Sequence, residues 1–259
     1  MARPRGQPCR AIHAVDTETT QSHNPPVTVG PVRRWLRAIG SNRTSDSEVL
    51  HRNTERVRVA LFISIPRNAS QTVQAILGLG PNRDQENTTS LVIHENHQRA
   101  SVLAEKYDLG VLFVFCFVRN PFDRCVSWYE FHKHVKPYRS LSFSAWVAAG
   151  MPHHFRKQNE TDYVANRLTP LLQSTFIDGC QPDFIGRFEA FSVDMPVVIQ
   201  RLNDACARQG LEHRFQWTDV HKNQSRRRMD YLSYYTSETQ ATVARLLRPD
   251  FERFNYPMT

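Results

Sequence analysis

The run VLFVFCFV, Val111 to Val118, constrains the fold of this chain more than any other segment. It is far too short to span a bilayer, has the length of a buried strand, and is apolar at both alternating sets of positions. A strand apolar on both faces has to be covered on both faces. A second run of this kind, VALFISI, extends from Val59 to Ile65 and stops at Pro66. Each run passes through a polar loop into a helical stretch. Gln71 to Leu79 follows the first; Phe122 to about His134 follows the second, across Arg119-Asn120-Pro121. Two strand–loop–helix units predict an α/β fold with a parallel sheet covered by helices on both sides. In such sheets ligands bind beyond the carboxyl ends of the strands, so both loops belong to the expected site.

The rest of the chain fits around this core. LVIH (Leu91 to His94) reads as a short strand, Arg99 to Tyr107 as a helix, and DFIGRFE (Asp183 to Glu189) as a further strand. A helix from about Val193 to Gln209, a basic loop and a terminal helix from Ser237 complete the order. Residues 1–57 are rich in Arg, Thr, Ser, Asn and Pro and cannot bury enough apolar surface to offset ordering entropy. They read as a mostly disordered basic and polar tail ahead of one domain, 58–259. Within the tail, VRRWLRAIG (Val32 to Gly40) suits a short basic amphipathic helix, either transient or against a membrane surface or partner.

A formal net charge of +8 favours acidic partners without choosing among nucleic acid, nucleotides, anionic glycans and anionic lipid. The five cysteines are an odd set without CxxC spacing, which argues against a disulfide framework or a Cys-rich zinc site. Cys116, inside the apolar run, is expected to be buried and inert; a Cys180–Cys206 bridge stays open. The N-terminus has no apolar h-region and no segment is long enough to span a membrane, so the chain reads as soluble, and cytoplasmic. A missing N-terminal anchor would place it in the Golgi lumen instead.

Two constellations carry chemistry. In the first, Pro66-Arg67-Asn68-Ala69-Ser70-Gln71-Thr72, small Ala69 and Ser70 let the backbone approach a ligand, and the helix start offers unpaired N–H groups. Arg67 adds a cation, and Asn68, Ser70 and Thr72 add neutral donors. An ordinary turn with a capping hydroxyl fits the same residues, and the GxxxxGK[ST] pattern of a phosphate-binding P-loop is absent. In the second, Arg119 leaves the strand and Ser127 lies about two turns into the helix, a pair suited to a phosphate monoester. Asp123 and Arg124 also suit a helix-terminus pair, and Trp128 and Tyr129 suit core packing.

These segments resemble the PAPS-dependent carbohydrate sulfotransferases of the sulfotransferase family 2 type, from about Val57 to Tyr256 (PAPS is 3′-phosphoadenosine 5′-phosphosulfate). IPRNASQT stands where members carry IPKNAGTS, and His97-Gln98-Arg99-Ala100 matches an H-x-T-A-like helix start. FVRNPFDRCVSWY matches FVRNPYDRLVSAY, and DFIGRFEAF matches DFIGRFENL. HKNQSRRRMDYLSYYT matches an N-K-S segment before YYT, and Asp250 to Tyr256 matches DFExFxY. The resemblance implies a P-loop-NTPase-like three-layer fold with a central parallel sheet flanked by helices. It also implies an EC 2.8.2-type transferase that carries sulfuryl from PAPS to an acceptor hydroxyl, on a glycan.

By the same resemblance Arg67, Asn68, Ala69, Ser70, Gln71 and Thr72 hold the 5′-phosphosulfate, while Arg119 and Ser127 hold the 3′-phosphate. Arg67 stands where members have lysine, and Ser70-Gln71 where they have Gly-Thr. Arginine keeps the charge but not the shape. In-line transfer needs charge stabilised on the bridging oxygen, a role for Arg67 and the loop N–H groups, and a general base. His97 is the first candidate and His94 the second, with Glu95 between them to orient either ring. Two histidines three apart also suggest a metal pair, but no third ligand is evident and the transfer needs none. Arg226 and Arg227, in the basic run Lys222 to Arg228, suit nucleotide or anionic-acceptor contact. Arg187 suits the same cleft, or a salt bridge to Glu189 or another carboxylate. The rival readings are a P-loop-type phosphotransferase and a non-catalytic binder of anionic glycan or nucleotide; no specific nucleic-acid partner is expected.

Overall fold

The computed structural model describes residues 57–79, 91–95, 97–134, 138–152, 172–220 and 230–258. The tail helix considered above, Arg226 and Arg227 lie outside them. Among the described residues four strands form one all-parallel sheet: β1 Ala60–Ile63, β2 Val92–Ile93, β3 Phe113–Val118 and β4 Phe184–Arg187. Their order is β2-β1-β3-β4. Ala60 lies opposite Phe113 and Ile63 opposite Cys116, while Val118 meets Arg187. The chain leaves β1 for one side of the sheet and comes back to the other. The carboxyl ends of β1 and β3 therefore flank the topological switch point, where such sheets open a crevice.

Seven helices are described: α1 Ser70–Ile76, α2 Ala100–Ala104, α3 Pro121–His132, α4 Phe143–Ala148, α5 Phe191–Arg208, α6 Ser237–Leu246 and α7 Arg248–Arg253. The period-two pattern of β3 decides what each covers. Phe113, Phe115 and Phe117 join Phe62 on one face, under Val73 and Ile76 of α1 and Phe191, Met195, Val198 and Leu202 of α5. Val114, Cys116 and Val118 join Leu61 and Ile63 on the other, under Phe122 and Val126 of α3, Trp146 of α4 and Phe251 of α7. Each such side chain, fully buried, contributes about 1.5–3 kcal/mol. The aromatic face also fixes Gly186: a Cβ there would come within 2.4 Å of the Phe117 ring on the neighbouring strand.

Three expectations shift. Leu109–Val111 forms a single helical turn, in which the Asp108 carboxylate accepts from the Gly110 amide. The strand therefore starts at Phe113, and Val111 is exposed. The terminal helix breaks at Leu247, and α7 restarts with Pro249 in its first turn, where a missing N–H costs nothing. Cys180 and Cys206 are both free thiols; the first packs with the aliphatic-face core and the second belongs to the aromatic-face core, so no bridge joins them. Cys116 is buried as expected, and burial raises its thiol pKa. No helix among the described residues is long and apolar enough to cross a membrane.

Candidate functional site

After β1 the chain must turn from strand to helix between Ser64 and Ala69. It does so through two left-handed residues that are not glycine, Arg67 at φ 68 and Ala69 at φ 61. Each costs of order 1 kcal/mol or more. Ala69 is the N-cap of α1 and supplies no capping side chain. Ser70 does not cap either: its hydroxyl donates back to the Ile65 carbonyl at 3.0 Å, pinning the loop to the strand. Asn68 is buried, with Nδ2 donating to the Phe117 carbonyl (2.8 Å) and to Gln173 Oε1 (2.6 Å). Its Oδ1 is buried without a hydrogen-bond partner among the described residues. Thr72 is buried and Gln71 exposed in the first turn of α1.

The turn after β3 is built differently. Asn120 caps α3 by accepting from the Phe122 amide at 2.9 Å, Pro121 takes the first helical position, and Asp123 sits in the first turn. The main chain of Arg119 is clamped by one side chain. Gln173 Oε1 accepts from the Arg119 amide and Gln173 Nε2 donates to the Arg119 carbonyl, both at 2.8 Å. Gln173 is itself held, because the amides of Gln173 and Ser174 donate to the buried Asp250 carboxylate at 2.7 and 2.8 Å. Burial raises the Asp250 carboxyl pKa, against the pull of Arg124 and these amides.

Three arginines then join the two turns. Arg119 pairs through Nε with Asp123 at 2.6 Å, donates from Nη1 to the Arg67 carbonyl at 3.2 Å, and lies 4.0 Å over the Phe188 ring. Arg124, fully buried, donates from Nε to the Pro66 carbonyl at 3.0 Å, and burial lowers its pKa to about 10. Arg67 reaches across to α3, where Nε donates to Ser127 Oγ at 3.0 Å and the guanidinium lies 4.7 Å over the Phe131 ring. Among the described residues no carboxylate pairs with Arg67; burial, then the charge of Arg119, lower its pKa to about 10. Two guanidiniums and a hydroxyl thus converge at the switch point with Asp123 paired to only one of them. Such a set favours an anion.

The candidate bases flank the same strand end. His97, at φ 55, places Nδ1 2.8 Å from the Ser64 carbonyl and 3.3 Å from the Ser64 hydroxyl. A ring nitrogen against a carbonyl carries the proton, which makes Nε2 the basic position. His94 stacks on Phe62 and meets Gln74 through Nε2 at 3.1 Å. Burial, then the neighbouring His97, lower its pKa to about 4, with Glu95 opposing. His94 is therefore neutral at pH 7 and weakly basic. Glu95 does not orient either ring by hydrogen bonding in the way the sequence suggests; its carboxylate accepts from Lys106 Nζ (2.7 Å) and the Tyr107 hydroxyl (2.9 Å).

Arg187 is held at the chain's C-terminal turn. Its Nη2 donates to the Phe254 carbonyl at 2.8 Å and its guanidinium lies 4.5 Å over the Tyr256 ring. Glu189 accepts instead from the Asn120 amide (2.6 Å) and the Tyr256 hydroxyl (2.8 Å). The GRFE and DFExFxY segments therefore fasten the chain end onto the turn after β3. Trp128 is core, as the sequence suggests. Sequence reasoning missed Gln173 and the hydrogen bonds that Asp250 and Glu189 make, far along the chain from the turn they hold. The only signal for them was a polar residue beside an apolar stretch.

The family model described as "Sulfotransferase family" matches residues 51–257. No curated protein matches the chain.

Proposed function

The chain belongs to the sulfotransferase family, whose reaction is sulfuryl transfer, and from that premise we propose that it moves the sulfuryl group of PAPS to a carbohydrate hydroxyl with His97 as general base. The observation that carries this reading is the pair Arg67 and Arg119 at the switch point, close enough for each charge to oppose the other, with a carboxylate on Arg119 alone among the described residues. A doubly phosphorylated nucleotide supplies the missing negative charge.

In this reading Asn68, Ala69, Ser70, Gln71 and Thr72 present their backbone to the phosphosulfate, at the start of an uncapped helix. Arg119 and Ser127 hold the 3′-phosphate. The acceptor oxygen bonds to sulfur as the bond from sulfur to the 5′-phosphate oxygen breaks on the far side. His97 Nε2 takes the hydroxyl proton, while Nδ1–H stays on the Ser64 carbonyl and keeps the ring aligned. The N–H groups of the loop stabilise the charge on the departing oxygen. His94, with its pKa lowered to about 4, is the poorer base and supports the loop through Gln74. We assign the reaction to a domain of residues 58–259, with Arg226 and Arg227 contacting the nucleotide and Arg187 fastening the C-terminal turn.

Sulfur-labelled PAPS offered with a panel of glycans and small hydroxylated compounds tests this. Label is expected on a glycan hydroxyl, without added magnesium. Magnesium-dependent phosphate transfer from ATP in place of sulfuryl transfer would overturn the reading. So would a protein that ignores PAPS and binds anionic glycans with an affinity that collapses in salt.

A further inference from the structure

Arg67 is the one cation in the loop after β1, and its place in the sequence suggests the transferring end of the donor. Its side chain goes elsewhere. Ser127 and Phe131, the two residues it touches, are four apart and so share one face of α3. The guanidinium thus lies along the helix that follows the other turn, beside Arg119. Only its Nε is used, by Ser127; its two terminal nitrogens make no hydrogen bond among the described residues. They are left as a fork for two oxygens of one anion.

We propose that Arg67 is a ligand of the donor's 3′-phosphate, shared with Arg119 and Ser127, and is not a ligand of the sulfuryl group. This assignment rests on the donor reading above. Charge is compatible with it: a phosphate monoester carries about −1.5 to −2 at pH 7, matched to two guanidiniums. Shape favours it. Arginine offers a planar fork that a lysine lacks, and Phe131 holds that plane in place.

The test is isothermal titration of the wild-type chain, Arg67→Ala and Arg67→Lys with three probes: adenosine 3′,5′-bisphosphate, adenosine 3′-monophosphate and adenosine 5′-monophosphate. Both variants keep a Cβ at φ 68, so the backbone cost is unchanged. Arg67→Ala is expected to weaken the bisphosphate and the 3′-monophosphate alike, by about tenfold or more, and to leave the 5′-monophosphate within about twofold. Arg67→Lys should recover only part of the loss. A loss shared by the bisphosphate and the 5′-monophosphate, with the 3′-monophosphate untouched, puts Arg67 at the transferring end and overturns the assignment. Unchanged binding of all three in both variants makes the Ser127 contact a structural tether, which also overturns it. A wild-type chain that binds none of the three removes the donor reading itself, a result distinct from either.

Discussion

The turn after β3 has a side-chain cap, a paired cation and a main chain clamped by a distant side chain, and the turn after β1 has no cap of its own. Asn120 caps its helix, Pro121 presets the first turn, Asp123 neutralises Arg119, and Gln173 holds the Arg119 main chain on both sides. Across the crevice, Arg67 and Ala69 are left-handed, α1 has no capping side chain, and Arg67 has no carboxylate among the described residues. What holds this turn comes largely from the other one: Arg119 and Arg124 donate to the Arg67 and Pro66 carbonyls. The difference separates two jobs. One turn is internally braced; the other carries left-handed backbone at a cost in the free protein.

The strongest way to break the contrast is to remove the scaffold's cation. Arg119→Ala destroys a buried ion pair, costs about 3–5 kcal/mol by denaturant melts, and should abolish the thermal shift produced by PAP. Arg119→Lys separates the two effects: it should fold better than the alanine variant yet still bind PAP poorly, since it cannot fork. His97→Ala acts on the open side alone. Turnover should fall about 10²–10⁴-fold with the PAP shift kept, and full activity would move the base elsewhere.

Smaller changes sharpen the contrast. His94 binds its proton near 6.5 when unfolded but only at about 4 when folded, so between those values protons favour the unfolded chain. Stability should therefore fall as pH drops from 6.5 towards 4, by on the order of 2 kcal/mol after solvent screening, and His94→Gln should flatten that slope. Asn120→Ala, which removes a cap, should cost about 1 kcal/mol. Ala69→Gly, on the open side, should instead gain about 0.5–1 kcal/mol by relieving φ 61. If both substitutions destabilise equally, the two turns are not built differently.

The sequence carried the scaffold of this account well. VALFISI and VLFVFCFV are legible because β-branched and aromatic residues at strand length bounded by Pro66 and Arg119 have few other solutions. Their Phe and Val alternation even encodes which residues face α5 and which face α3. The Arg119 to Ser127 spacing put both groups beyond the strand end. Polar partnerships over long separations were not legible. Gln173 binds Arg119 across 54 residues and Asp250 binds Gln173 across 77, and neither has a periodicity that points to its target. The donor groups of Asn68 and Ser70 bond to Phe117, Gln173 and Ile65, partners their type alone did not reveal. The contact of Arg187 with the Phe254 carbonyl was equally invisible.

The central claim is that the two turns jointly hold one nucleotide charged at both ends. The most direct test is a double cycle in which wild type and Arg119→Lys are each titrated with PAP and with adenosine 5′-monophosphate. The account predicts that losing the 3′-phosphate weakens wild-type binding by about a hundredfold or more, and that in the variant the same loss costs only a few-fold. Equal wild-type affinity for the two nucleotides, or a penalty that Arg119→Lys leaves unchanged, would contradict it.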